Sequence, residues 1–86
     1  MQEMREIQLK RVYRHFKGKY YLTEALARSA ENGALCVVYR QLYGDGGLWI
    51  RPLEEFLSPV DREKYPDADQ EFRFALVELP GAEKNS

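Results

Sequence analysis

Short β-type segments separated by glycine turns constrain this chain more than any other feature. Five segments are rich in the β-branched and aromatic residues that strands favour. They cover residues 12–16, 20–28, 35–42, 48–51 and 71–79. The chain has only 86 residues, which is enough for one small domain with a single core. The pattern therefore predicts one small all-β domain.

Glycines mark the connections between these segments. Gly18 lies between two lysines and predicts a tight turn after the first strand. Residues 29–33 predict a turn, and the dipeptide Asn32-Gly33 within it is the strongest short signal for a hairpin. The run Gly-Asp-Gly-Gly at 44–47 feeds directly into the fourth strand, so we expect positive φ at one or more of its glycines.

A helical turn is expected between the last two strands. Pro52 lacks a backbone N–H and ends the fourth strand, and it is favourably placed to begin a helical turn over 53–57. Five strands in this order predict a small five-stranded SH3-like barrel, because closure protects the edges of a short all-β chain. The predicted domain covers 9–79, between a flexible N-terminal arm at 1–8 and a flexible C-terminal tail at 80–86.

The second strand has two possible inner faces. Alternation along 20–28 allows either of two sets of side chains to point to the core. One set is Tyr20, Leu22 and Leu26, and the other is Tyr21, Thr23, Ala25 and Ala27. Both alternatives stay open from the pattern alone.

The near-zero net charge conceals two halves of opposite sign. Residues 1–53 carry nine Lys and Arg against five Asp and Glu, a net charge of +4, and 54–86 carry four against nine, a net charge of −5. Within the first half, the segment 10–19 has five cations, one histidine and no acid. Such a cluster indicates either a surface that meets phosphates or an edge kept soluble by charge. The sequence pI of about 5.8 favours the second interpretation.

Two longer motifs resemble a known family. They are Tyr-Arg-His-Phe-Lys-Gly at 13–18 and Leu-Tyr-Gly-Asp-Gly-Gly-Leu-Trp-Ile-Arg-Pro-Leu at 42–53. With Asp-Arg-Glu-Lys-Tyr-Pro at 61–66, they make the chain resemble the bacterial family catalogued as domain of unknown function 1653, over about residues 11–78. The resemblance implies an SH3-like barrel in a cytoplasmic bacterial protein, and it implies no established activity.

Residues capable of catalysis or metal binding are few. His15 and Cys36 are the single histidine and cysteine, and Cys36 lies in an apolar strand where a thiol usually behaves as a small buried hydrophobe. Glu54 and Glu55 are adjacent, so on a helical turn their side chains point about 100° apart and do not form a catalytic pair. The glycine run at 44–47 precedes a strand, whereas a phosphate-binding loop precedes a helix. We therefore expect no catalytic residue, no metal and no cofactor.

Aromatic residues interleaved with arginine form the candidate binding surface. Aromatic residues make up 13% of the chain, too many for so small a core to bury completely. The predicted surface consists of Tyr13, Arg14, His15, Tyr39, Arg40, Tyr43, Trp49 and Arg51. Trp49 has a second interpretation as the core anchor, and Arg51 has one as the ion-pair partner of Glu54 or Glu55.

These features predict a binding module and not an enzyme. We favour a protein or peptide partner, because an aromatic groove or a free strand edge binds extended peptides. The alternative is single-stranded nucleic acid, with bases stacked on the same surface and the phosphates near the basic segment 10–19. No apolar run approaches the roughly 18 residues that span a bilayer, and residues 1–6 lack the apolar segment of a secretory signal. We expect no membrane partner and a cytoplasmic location; the pattern identifies neither the partner nor an oligomeric state.

Overall fold

The computed structural model describes residues 5–78, which form a five-stranded antiparallel sheet and one short helix. The strands are β1 (Val12–His15), β2 (Tyr20–Arg28), β3 (Leu35–Gln41), β4 (Leu48–Pro52) and β5 (Phe74–Leu76). The helix α1 (Leu53–Phe56) lies between β4 and β5. The predicted all-β class, with one helical turn before the last strand, is confirmed.

The sheet is arranged in the order β4-β3-β2-β1-β5. The first four strands form a meander, and the last strand returns to pair with the first, Tyr13 opposite Leu76. Among residues 5–78 no ladder joins β4 to β5, so strand pairing does not close the sheet into the predicted barrel. The two edges of the sheet are therefore β4 and β5.

The turn between β3 and β4 has the backbone expected from its glycines. Gly44 and Gly46 have φ angles of +57° and +68°. Residues other than glycine rarely adopt such φ angles, because their Cβ atom would lie too close to the following carbonyl oxygen. The N–H of Gly46 donates to the carbonyl of Tyr43 at 3.1 Å, which tightens the turn.

A bulge in β2 decides which face of that strand is buried. The register with β3 shifts between Thr23 and Ala25, which leaves Glu24 as the extra residue. Thr23 is fully buried, and its hydroxyl donates to the carbonyl of Gln8 at 2.7 Å. Tyr21 and Thr23 therefore face the core, whereas Ala25 is exposed. The set containing Tyr21 is correct only as far as the bulge.

The last strand is shorter than the predicted 71–79. Residues on its N-terminal side pair with the loop that follows α1, where Pro59 forms an isolated bridge with Phe72. The N–H of Val60 also donates to the carbonyl of Glu71 at 2.8 Å. The alternating pattern correctly indicated extended backbone, but the partner of this part is a loop and not β1.

The core is a cluster of aromatic rings on one face of the sheet. Its buried members are Tyr13, Val37, Tyr39, Phe56 and Phe74. The rings of Phe56 and Phe74 are stacked with centroids 4.0 Å apart, and both tyrosine rings meet Phe56 edge-on at 5.3 Å. Helix α1 supplies Phe56 and so covers one end of this face.

Arg5 ties the N-terminal segment to the end of the sheet. Its guanidinium donates to the carbonyls of Leu57 at 2.9 Å and Phe74 at 2.8 Å. It also lies 4.0 Å from the centroid of the Phe72 ring. Burial of this group lowers the pKa of the Arg5 guanidinium from its ordinary value.

This arrangement differs from the predicted flexible arm at 1–8. Ile7 packs against the aromatic core, so 5–8 are part of the folded domain. The prediction was wrong here because Arg5 and Ile7 are not part of a strand or helix pattern, so the local sequence does not indicate that they pack against the domain. Residues 1–4 and the predicted tail at 80–86 lie outside the described residues.

Candidate functional site

The register of the strands shows which predicted site residues share a face. Tyr39 is paired with Trp49, and Tyr13 with Tyr21. Since side chains directly opposite one another point to the same side, these residues lie on the core side of the sheet. His15 follows Tyr13 by two positions and joins them there. We call this side the inner face.

Tyr13 and Tyr39 are core residues, which corrects their assignment to the binding surface. Their exposed fractions are 1% and 4%. The Tyr13 hydroxyl accepts from the backbone N–H of Gln8 at 3.0 Å, and the Tyr39 hydroxyl accepts from Nε of Arg51 at 3.2 Å. Both rings are covered because α1 brings Phe56 over them.

The assignment of Arg14 to the predicted surface is wrong, because this residue does not share a face with the aromatic residues. It alternates with the inward Tyr13 and His15 and so lies on the outer side of the sheet. Its guanidinium donates to Asp69 at 3.3 Å and to the side-chain oxygen of Gln70 at 2.6 Å. The side chain fastens the loop before β5 and does not join the inner aromatic residues.

Arg40 also differs from the prediction. It is on the outer side of β3, where Nε donates to Glu24 at 3.1 Å and a terminal nitrogen donates to the carbonyl of Gly46 at 2.8 Å. Lys10 reaches the same carboxylate at 2.8 Å, and these two hydrogen bonds lower the pKa of Glu24. Arg40 therefore stabilises the bulge and the glycine turn.

Trp49 is a surface residue, which decides between its two interpretations. Its side chain is 55% exposed, and its indole N–H donates to the side-chain oxygen of Gln41. The Gln41 amide nitrogen donates in turn to the carbonyl of Tyr43 at 3.2 Å and to Asp45 at 3.0 Å. This network holds the exposed indole in one orientation on the rim of the inner face.

Tyr43 contacts Tyr21 on the inner face, a residue that was not part of the predicted surface. Its hydroxyl and that of Tyr21 are 2.6 Å apart, and the rings meet edge-on at 5.6 Å. Burial is the main cause that raises the pKa of Tyr21, and the hydrogen bond to Tyr43 adds to it. Lys19 lies 4.9 Å from the Tyr43 ring. The available signal for Tyr21 was its adjacency to Tyr20, which places the two rings on opposite faces.

Arg51 links the core to the surface. Besides its hydrogen bond to Tyr39, it forms an ion pair with Glu55 at 3.3 Å. This pair agrees with the second interpretation of Arg51, as the ion-pair partner of Glu54 or Glu55. Arg51 is half-buried and also lines a cavity of about 320 Å³ on the inner side.

His15 lines the same cavity. Its ring stacks on Phe16 at 4.6 Å and meets Phe74 edge-on at 4.9 Å, and its Nδ1 accepts from the N–H of Lys17 at 3.1 Å. Burial, followed by the nearby cations Arg51, Arg73 and Lys17, lowers the pKa of His15 to about 4. The imidazole is therefore neutral at physiological pH, with its proton on Nε2.

The other residues that line this cavity were not in the predicted surface: Phe16, Lys17, Val60, Asp61, Lys64, Tyr65 and Arg73. Phe16 follows β1, and Tyr65 lies in the polar segment after α1, yet their rings are 4.8 Å apart. A single aromatic residue in an otherwise polar segment was the available signal for Tyr65.

Cys36 and His15 have separate environments. The buried Cys36 thiol contacts the carbonyl of Ala34 at 3.7 Å, whereas His15 interacts with the turn after β1. Within residues 5–78 no group of three or more His, Cys, Asp or Glu side chains is arranged to hold a metal ion. No helix among these residues is sufficiently long and apolar to cross a membrane.

Comparison with known proteins places the chain in a family. The family model described as protein of unknown function (DUF1653) matches residues 11–76. A crystal structure of a protein from Bordetella bronchiseptica, described as belonging to DUF1653, is similar with a TM-score of 0.66 and 38% sequence identity. The similarity covers 79% of this chain and 85% of that one. None of the curated proteins matches this chain. The chain belongs to the DUF1653 family of proteins of unknown function.

Proposed function

We propose that this domain is a non-enzymatic binding module that takes an extended segment of a protein partner along the free edge of β4. The observation that carries the proposal is the exposure of three consecutive large apolar side chains on an edge strand. Leu48, Trp49 and Ile50 are 54%, 55% and 59% exposed. Natural edge strands usually carry charges or prolines that prevent pairing, and on β4 these are confined to Arg51 and Pro52 at its C-terminal end.

The edge can pair with an added strand. β4 is bonded to β3 on one side, and within residues 5–78 no strand lies on its other side. Backbone groups on a free edge supply the hydrogen bonds of an added peptide, and alternating side chains supply selectivity. On β4, Trp49 and Arg51 point to the inner face, and Leu48 and Ile50 point to the outer face. A bound segment would therefore find apolar contacts on both faces.

The side chains at this edge are held in place before a partner arrives. Gln41 orients the Trp49 indole, and Tyr39 with Glu55 orients the Arg51 guanidinium. Such preorganisation reduces the entropy lost on binding. The preferred partner is an extended peptide with apolar residues at alternate positions and a carboxylate that reaches Arg51.

Nucleic acid has less support as the partner. Within the basic segment 10–19, Lys10 and Arg14 are already ion-paired with Glu24 and Asp69. Fewer cations are therefore available to a phosphate backbone than the sequence suggests.

The experiment is selection from a display library of random linear peptides, followed by titration monitored by Trp49 fluorescence. We expect selected peptides to shift the emission and to change affinity by less than about threefold between low and physiological salt. Leu48→Lys should weaken binding by about tenfold or more, because it introduces a charge at the edge. Leu9→Lys is the matched control, since Leu9 is also exposed but lies outside the sheet.

Two outcomes would reject this function. One is a failure to select any peptide that distinguishes the Leu48 variant from the Leu9 variant. The other is steeply salt-dependent binding of single-stranded RNA with no peptide binding, which would favour the nucleic-acid alternative.

We also propose that the protein works in the bacterial cytoplasm. The similar crystal structure comes from a bacterium, and the lone cysteine is a free, buried thiol that requires no oxidising compartment. Fractionation of bacterial cells with an antibody to the chain tests this location.

A further inference from the structure

The cavity beside His15 has an excess of positive charge. It is lined by four cations, Lys17, Arg51, Lys64 and Arg73, and by one carboxylate, Asp61. With His15 neutral, the formal charge of the lining is +3. We call this cavity the basic pocket.

Three of the four cations have no carboxylate partner within the described part of the chain. Ion pairs there involve neither Lys17, Lys64 nor Arg73. Nε of Arg73 donates to the Ser58 hydroxyl at 3.4 Å, which leaves both terminal nitrogens for another acceptor. The pocket therefore has donors that an anion could use.

Asp61 does not neutralise these groups by direct pairing. Its Oδ1 accepts from the backbone N–H groups of Glu63 and Lys64 at 3.1 and 3.3 Å, so its role is to fix the loop. Burial is the main cause that lowers the pKa of His15, and the positive charges of Arg51, Arg73 and Lys17 add to it because they disfavour protonation of the ring. The neutral ring keeps an Nε2–H donor for an anionic oxygen.

Aromatic rings form the other wall of the basic pocket. Phe16 and Tyr65 both line it with their ring centroids 4.8 Å apart, and Lys17 lies 5.1 Å from the Tyr65 ring and 5.9 Å from the Phe16 ring. Lys64 lies 5.7 Å from the Tyr65 ring. A flat organic group can stack against such rings while its charged end contacts the cations.

We propose that the basic pocket binds a phosphate monoester carried on a small flat body, of the size of a mononucleotide. A volume of about 320 Å³ is at the small end of the range of ligand sites. A phosphate monoester has nearly two negative charges and three acceptor oxygens at pH 7, which suits a +3 lining better than a single carboxylate does. The proposal does not depend on the peptide-binding function, and the two surfaces share only Arg51.

The test is titration of the whole chain at constant ionic strength with phenyl phosphate, AMP and UMP. Benzoate and adenosine are the controls that lack the phosphate. Calorimetry measures affinity, and NMR follows the imidazole C2–H of His15 through a pH titration. We expect saturable binding of the three phosphates only, and a bound dianion should raise the pKa of His15 from about 4 toward its ordinary value.

Variants distinguish the pocket from a general charge effect. Lys17→Gln and Lys64→Gln alter exposed side chains that form no ion pair within residues 5–78, and together they should weaken phenyl phosphate binding by about tenfold or more. Arg28→Gln is the matched control, since it removes an exposed cation at the far end of β2. The Leu48→Lys variant should bind phosphate normally, so failure of the peptide proposal would leave this one intact.

A short oligonucleotide identifies the source of the phosphate. Binding of AMP or UMP alone supports the proposal with a free mononucleotide as the source, and additional binding of a 5′-phosphorylated trinucleotide, but not of its unphosphorylated form, supports it with a terminal phosphate as the source. Equal binding of the trinucleotide with and without its terminal phosphate would overturn it. So would benzoate binding as tightly as phenyl phosphate, or equal losses in the lysine and Arg28 variants.

Discussion

The inner face of the sheet has a closed end, which α1 covers, and an open end, where the basic pocket lies. Both ends are rich in aromatic residues, but only those at the closed end form the core. At the closed end, Phe56 and Phe74 stack with no exposure worth noting, and Tyr13 and Tyr39 meet Phe56 edge-on. At the open end, Phe16 and Tyr65 are only partly buried and lie beside Lys17, and Trp49 on the rim of the inner face is exposed. The difference shows that aromatic content alone does not distinguish a core from a binding surface.

The cover over each end explains this difference. Pro52 ends β4, and α1 begins at the next residue, so Phe56 is brought directly over the closed end. No helix among residues 5–78 covers the open end, where the loop containing Tyr65 forms a wall and leaves a cavity. Cations are tolerated at the open end because they remain partly hydrated.

The largest test of the comparison is removal of one ring from each end. Phe74→Ala should lower the free energy of unfolding by about 3–5 kcal/mol, because it leaves a cavity between Phe56 and Tyr39. Trp49→Ala should lower it by less than about 1 kcal/mol, because most of that ring already contacts water. Urea unfolding followed by circular dichroism measures both. Similar losses in the two variants would show that the ends are not energetically different.

A smaller loss of stability is expected when Arg5, which bonds to two carbonyls at the closed end, is removed. Arg5→Ala should lower the free energy of unfolding by about 1–3 kcal/mol, because two backbone carbonyls lose a charged donor. Arg11→Ala is the control, since its side chain makes one exposed hydrogen bond to Gln8. If the two variants unfold at the same urea concentration, Arg5 does not contribute to the domain's stability.

The smallest effect concerns pH at the open end. The folded pKa of His15 is about 4 and lies below the unfolded value near 6.5. The unfolded chain therefore binds the proton more readily, and the stability present above pH 6.5 is lost as the pH falls toward 4. We expect this loss to be about 1 kcal/mol, reduced from the full linkage value because the ring is partly exposed.

His15→Gln isolates this contribution from that of the carboxylates. Urea unfolding of both proteins at several pH values should show the wild type losing more stability than the variant between pH 6.5 and 4. Parallel curves, or a wild type that gains on the variant as the pH falls, would contradict the depressed pKa.

Much of the fold could be predicted because its signals are local. The four strands of the meander follow from β-type segments, and the turn at 44–47 follows from its glycines. The shortened β5 could not be predicted, because Phe72 forms its bridge with Pro59, and no local pattern indicates that partner. Closure of the sheet likewise depends on contacts between residues far apart in the chain.

The site was less predictable than the fold, for the same physical reason. His15, Trp49 and Arg51 lie on the inner face or its rim and remain candidates for a binding surface, whereas Tyr13 and Tyr39 were assigned to a surface that another element covers. The contact between Phe16 and Tyr65 joins distant segments and has no counterpart in residue spacing. Residue type indicated which side chains could bind a ligand, but only long-range packing decided which of them are accessible.

The two hydrogen bonds of Arg5 bear on where this domain should be cut for experiments. A chain trimmed to start at the first strand would keep every strand and still leave the carbonyls of Leu57 and Phe74 without their donor. Such a fragment would fold with a weakened junction between α1 and β5, and its measured affinities would report on a loosened protein. Recombinant versions should therefore retain residues 5–8, even though none of these four belongs to the sheet.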